Sequence, residues 1–164
     1  MRRVLCALVL CACFALVGQQ GAVALPAEVS RQPVDVPETH DPPVDAPIID
    51  PFRPPAGPFA PGNRGLEYDT EPGQIVRASS KGTVTFAGQV GGNLFVTIQH
   101  DSTLRTTVGF VDSLLVSAGE SIEKGQVIAV AGHTIHFTAR RNGVYFDPET
   151  LFVAYRVVVR LVAH

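Results

Sequence analysis

The sequence predicts an all-β domain, and three observations predict it. From Gly73 onward, short runs rich in Val, Ile, Thr and Phe alternate with glycine punctuation. The pair Gly91-Gly92 before Asn93 reads as the turn of a hairpin, since successive glycines supply the positive φ angles that a two-residue turn needs. No window carries an apolar stripe at i, i+3, i+4, i+7 over helical length.

Taken along the chain, the first element is not part of the fold. Arg2 and Arg3 precede the apolar run VLCALVLCACFALVG, and Ala22-Val23-Ala24 supplies a small-residue cleavage site, so residues 1–24 read as a secretory signal. The run is shorter than the roughly 20 residues of a membrane helix, and no second such run follows. The mature protein is therefore expected to be exported, with no transmembrane helix, and located in the secreted or extracytoplasmic envelope space. All three cysteines (Cys6, Cys11, Cys13) lie in the signal, so the mature chain has neither disulfide nor thiolate metal site. The Leu10–Cys13 stretch faintly resembles a lipidation box at Cys13, but the apolar FALVG that follows fits a continuing signal core better.

Residues 25–50 place Glu28, Asp35, Glu38, Asp41, Asp45 and Asp50 against Arg31 alone, with proline every few positions. Such a segment reads as an acidic, Pro-rich linker, and His40 within it as a solvated residue. The folded domain is then residues 51–164. Its basic and acidic residues nearly balance, which leaves no electrostatic footprint for nucleic acid.

The predicted strands are QIVRAS, GTVTFAGQV, NLFVTIQH, LRTTVGFV, LLVSAG, QVIAVAG, TIHFTARRN and VYFDP. Gly119 and Gly125 permit tight turns in VSAGESIEKGQVIAVAG, while Val116, Ile122, Val127, Ile128 and Val130 feed one core. The C-terminal run VAYRVVVRLVAH (153–164) is apolar enough to be a further strand, because left exposed it would invite pairing. On a strand, positions 134 and 136 share one face and 133 points to the other, so His133 and His136 do not converge on one ion.

A core of this kind is shared by lipoyl and biotinyl carriers and by the LytM/lysostaphin-type peptidases. A carrier needs a lysine at an exposed hairpin tip, and Lys81 and Lys124 each stand before a turn glycine outside that context. The order of PFRPP, the Asn63-Arg64-Gly65 segment, GTVTFAG, LRTT, GESIEKGQVI and IHFTAR over residues 51–152 resembles the LytM-type zinc metallopeptidase (murein endopeptidase) domain, especially its exported actinobacterial versions. The resemblance implies a duplicated-hybrid-motif, barrel-sandwich-like antiparallel β core.

In that family zinc is held by the His and Asp of an H-x-x-x-D motif and by the second His of H-x-H, while two further histidines assist the attacking water. Three ligands leave a coordination position open for water, whose pKa the metal lowers to around 7. Matched to this sequence, the first ligand position is Asn63, the second Glu67 and the third His136; the assisting positions are Phe110 and Thr134. Only His136 is unchanged. An amide is a poor zinc donor beside imidazole, and the glutamate is one methylene longer than aspartate. The loop that usually precedes H-x-H is also missing, since His133 follows Gly132 at once.

These departures predict a degenerate site: no catalytic set intact, no cofactor expected, and zinc only if the site is functional after all. The expected role is peptidoglycan binding or regulation of cell-wall hydrolases, the partner being a peptidoglycan stem peptide or a cell-wall hydrolase. Arg64 and Arg140 are the groove candidates, because guanidinium groups suit stem-peptide carboxylates. Arg141 reads as a solvated face, His133 as a turn residue, His100 as a strand end and His164 as a frayed terminus. The alternative is an active zinc murein endopeptidase with ligands shifted to Glu67, Asp69 and His136, Glu67 and Asp69 lying two apart on one strand face.

Overall fold

A computed structural model describes residues 39–57 and 60–152. The predicted signal, residues 25–38 of the predicted linker, and the predicted strand in 153–164 lie outside the described residues.

The predicted all-β class is observed. Among the described residues nine antiparallel strands form one sheet: β1 (Ile48–Asp50), β2 (Leu66–Asp69), β3 (Ile75–Arg77), β4 (Gly82–Val90), β5 (Asn93–Gln99), β6 (Leu104–Leu114), β7 (Ser121–Ile122), β8 (Val127–Arg141) and β9 (Val144–Phe146). A 3-10 turn, Pro148–Leu151, follows, capped by the Asp147 carboxylate, which accepts the Glu149 N–H at 3.0 Å. The sheet order is β1-β2-β8-β6-β5-β4-β7, with β3 and β9 also pairing β8.

The β4–β5 hairpin turns where Gly91-Gly92 predicts it, with φ of 58° and 90° at the two glycines. One pair of predicted strands proves continuous: QVIAVAG runs into TIHFTARR as the fifteen-residue β8, whereas β6 carries LRTTVGFV on to Leu114 and the rest of the predicted strand LLVSAG is not strand. No loop interrupts β8 at Gly132-His133. Its first half pairs β3 and the end of β6; its second half pairs β2, β9 and the start of β6.

Alternation along these strands builds the core. Ala129, Ala131, Ile135, Phe137 and Ala139 of β8 point inward with Val96 and Ile98 of β5, Val108 of β6 and Leu66 and Tyr68 of β2. The residues between them face the other way. That outward face carries the site.

The linker expectation is corrected for residues 40–50. His40 is 5% exposed and Val44 also 5%, Pro43 is buried, and Ile48–Asp50 pairs with β2. Proline lacks an N–H but keeps its carbonyl: Pro43 accepts from Arg77 N–H at 2.8 Å and Pro47 from Asp69 N–H at 3.0 Å. His40 is not solvated. Its Nδ1 meets the Ser79 hydroxyl at 3.2 Å, and its ring stands edge-on to His100 at 4.7 Å. Lys124 holds the same segment through Asp41 at 2.9 Å and the Thr39 carbonyl at 2.8 Å.

Candidate functional site

Outward-facing side chains of β5, β6 and β8 fall into three rungs. The first aligns Phe95, Gly109 and His136, with Glu67 of β2 opposite His136. The second aligns Thr97, Thr107 and Thr138, with Phe86 of β4 opposite Thr97. The third aligns Gln99, Arg105 and Arg140, with Tyr145 of β9 opposite Arg140. A groove of about 510 Å3 runs over these rungs, bounded at one end by Asn63, Arg64 and Phe110 and at the other by Arg140 and Tyr145.

Asn63 is fixed before it reaches the groove. Its backbone pairs with Arg53 in both directions at 2.9 Å, and Arg53 is tied to Asp50 by an ion pair at 2.7 Å. Asn63 Nδ2 donates to the Asp50 carbonyl at 3.1 Å, and Asn63 Oδ1 accepts the Gly65 N–H at 3.0 Å. The backbone partners thus determine which end of the amide is oxygen. His136 Nε2 lies 2.9 Å from that same oxygen, so Nε2 must carry a proton and donate. The Asn63 side-chain oxygen is thus an acceptor already used by two donors.

Gly65 makes the approach possible. A Cβ there would lie 2.3 Å from the Phe137 carbonyl and 2.8 Å from His136 Nε2. Burial pushes the His136 imidazole below its ordinary value, and the nearby Glu67 and Asp50 charges oppose that shift. Asp50 is itself held below the usual carboxylate range, chiefly by its hydrogen bonds from Arg53.

Phe110 reaches the groove through a β-bulge. The β6–β8 register shifts between Gly109 and Val111, and Phe110 adopts φ of 62°, a left-handed conformation that costs a bulky residue energy. Both Gly109 and Phe110 then turn from the core while Val111 returns to it. The Phe110 ring is 42% exposed and stands 5.7 Å from the Phe95 ring and 6.0 Å from that of His136. The Phe95 ring covers Gly109 so closely that a Cβ there would meet it at 2.3 Å.

Asn63, Arg64, Glu67, Phe110, His136 and Arg140 all line this one groove. Thr134 is exposed and does not line the groove. Asp69, exposed beside Thr134, does not line it either, so the shifted trio of Glu67, Asp69 and His136 is not assembled. Among the described residues no three His, Cys, Asp or Glu side chains are grouped to hold a metal ion. The residues present do not fit zinc: the amide oxygen and the imidazole Nε2 at two ligand positions are committed to each other. Sequence reasoning missed Phe86, Phe95, Tyr145 and Arg105. Their period-2 spacing was visible, but which strands lie side by side was not.

Residues 61–148 match Peptidase family M23, and the chain belongs to that family. It is 37% identical over 94 residues to the lipoprotein NlpD/LppB homolog of Pseudomonas aeruginosa, covering 52% of this chain and 32% of that protein. It is 30% identical over 115 residues to the murein hydrolase activator NlpD of Salmonella typhimurium, covering 65% of this chain and 29% of the relative. The chain thus spans about a third of the length of these relatives. A zinc-containing peptidase from Vibrio cholerae shares the fold at a TM-score of 0.60 and 24% identity, over 67% of this chain and 39% of that one. Among the described residues no helix is long and apolar enough to cross a membrane.

Proposed function

We propose that this is an exported M23 domain that does not hydrolyse peptidoglycan and instead uses its groove to bind peptidoglycan stem peptides in the cell envelope. The observation that carries the reading is the Asn63–His136 hydrogen bond. A zinc site needs lone pairs at both positions, and here one is spent on Gly65 N–H and His136 N–H while the other nitrogen is protonated. A second observation supports binding without chemistry: Phe110 fills the place of an assisting imidazole with a ring that neither donates nor accepts a proton.

The chain's own residues then have binding roles. Phe86, Phe95 and Phe110 offer apolar surface, the threonine rung offers hydroxyls, and Arg64 and Arg140 offer positive charge. The names of its relatives favour a further role, in which the occupied groove regulates a cell-wall hydrolase rather than replacing one.

Purified protein is tested on cross-linked peptidoglycan with and without added zinc, by chromatography of released fragments and by co-sedimentation with intact sacculi. Binding without release is expected. Release that is abolished by chelation and by His136→Ala overturns the reading. Stimulation of an added cell-wall amidase in the same assay separates the regulatory role from simple binding.

A further inference from the structure

The third rung sets Arg105 of β6 directly opposite Arg140 of β8, on the same face. Like charges opposed across a strand pair are destabilising unless something neutralises them. Among the described residues no carboxylate pairs with either: the ion pairs there join Arg53 to Asp50 and Lys124 to Asp41. What orients these two guanidinium groups is neutral. The Gln99 side-chain oxygen accepts from Arg105 Nε, and the Gln99 amide donates to the Leu104 carbonyl at 3.2 Å. The Arg140 guanidinium carbon lies 5.1 Å from the centre of the Tyr145 ring. Both are positioned, and neither is neutralised.

Arg105 and Arg140 also line a second, more enclosed concavity of about 240 Å3, completed by Ser102, Thr103, Asn142 and Gly143. Arg140 is common to it and to the main groove, so the two adjoin at that side chain. The main groove mixes aromatic rings and threonines with the charged side chains of Asp50, Arg64 and Glu67. Its end is a polar pocket with two cations.

We infer that the arginine rung is a carboxylate site that receives the free C-terminus of a peptide lying along the groove. This rests on the reading of the groove as a binder of cell-wall peptides and names the group it recognises. Two arginines that line one pocket can both donate N–H bonds to a carboxylate placed between them, and a more enclosed polar end suits a chain terminus better than a continuing backbone. Four residues of β8 separate Arg140 from His136, about 13 Å of strand. An extended tetrapeptide with its end on the arginine rung therefore spans the groove as far as the Glu67–His136 rung.

The test uses the full chain and one N-acetylated peptide, acetyl-Ala-Gln-Lys-D-Ala, as the free acid and as the C-terminal amide, titrated calorimetrically. The acid is expected to bind at least roughly tenfold more tightly, the scale of one charge-assisted pair. Arg105→Gln with Arg140→Gln should abolish that preference, so that acid and amide bind the variant with equal affinity. Thermal stability of the double variant should be equal or higher, because the facing charges are gone, so misfolding cannot account for the loss. Equal affinities for acid and amide overturn the carboxylate site and leave the groove reading standing. Binding of neither peptide overturns both. Inorganic phosphate that displaces the acid at equal concentration shows a generic anion site and overturns the assignment to a peptide end.

Discussion

Asn63→Ala removes three hydrogen bonds at once, and the structure sets the size of the loss. The side chain is 6% exposed and bridges the Asp50 carbonyl, the Gly65 N–H and His136 Nε2–H. Each such bond contributes about 0.5–1.5 kcal/mol net, and a buried group left unpaired costs about 1–3. Water entering from the groove side will satisfy His136 but reaches the buried Gly65 N–H poorly. A destabilisation of about 2–3 kcal/mol follows. With a urea m-value of about 1.5 kcal/mol/M for a domain of this size, the unfolding midpoint should fall by roughly 1.3–2 M. The same protein allows a direct check of the tautomer: proton–nitrogen spectra of the wild type should show His136 Nε2 protonated, and the Asn63→Ala spectrum should lose that constraint. A midpoint shift corresponding to less than about 0.5 kcal/mol, or a wild-type His136 protonated at Nδ1 alone, would refute the reasoning.

Other consequences are testable in the same way. Gly65→Ala should cost more than about 3 kcal/mol, because the new Cβ meets the Phe137 carbonyl at 2.3 Å and backbone cannot swing aside; thermal melting measures it. The lowered His136 pKa makes the unfolded chain bind more protons than the folded one just below the ordinary imidazole value. Stability from this group is therefore present above about pH 6.5 and lost as pH falls through the folded pKa, and His136→Gln should flatten that part of the stability–pH curve. Tyr68 buries its hydroxyl without a partner among the described residues, and burial raises its pKa well above the usual phenol value. Tyr68→Phe should leave stability unchanged or raise it by about 1 kcal/mol, and a loss of that size in chemical denaturation would reveal a partner for the hydroxyl.

Much of the fold was legible because it depends on local chemistry. Gly91-Gly92 demands a tight turn, and the Val-, Ile- and Thr-rich runs can be little but strands. Residues 40–50 were not legible, because their composition is that of a linker and only the sheet edge supplies donors for the Pro43 and Pro47 carbonyls. In the site, Asn63, Glu67, Phe110 and His136 could be read from motif spacing. Thr134 could be placed on the His136 face of β8 but not excluded from the groove, since that depends on where the groove ends. Arg105 lies inside the LRTT motif, but nothing in that motif assigns it a partner, and only the β6–β8 register puts it against Arg140.

The changes around His136 form one coupled arrangement. An amide at position 63 clamps Asp50 to Gly65 through backbone partners at both ends, and its oxygen can accept from His136 only while Nε2 keeps its proton. Phe110, held by the bulge at a strained φ, then covers the same imidazole with an apolar ring, and uninterrupted β8 leaves no loop to wall the groove there. Restoring a histidine at position 63 alone would return neither the second ligand's length nor the assisting groups. At the other end the arginine rung keeps two charges that the fold itself does not neutralise, although replacing either arginine by glutamine would relieve their repulsion. The proposed peptide binding draws on both ends of this groove, the hydrogen-bonded Asn63–His136 pair and the unneutralised arginine rung, and the carboxylate preference is where it will be measured.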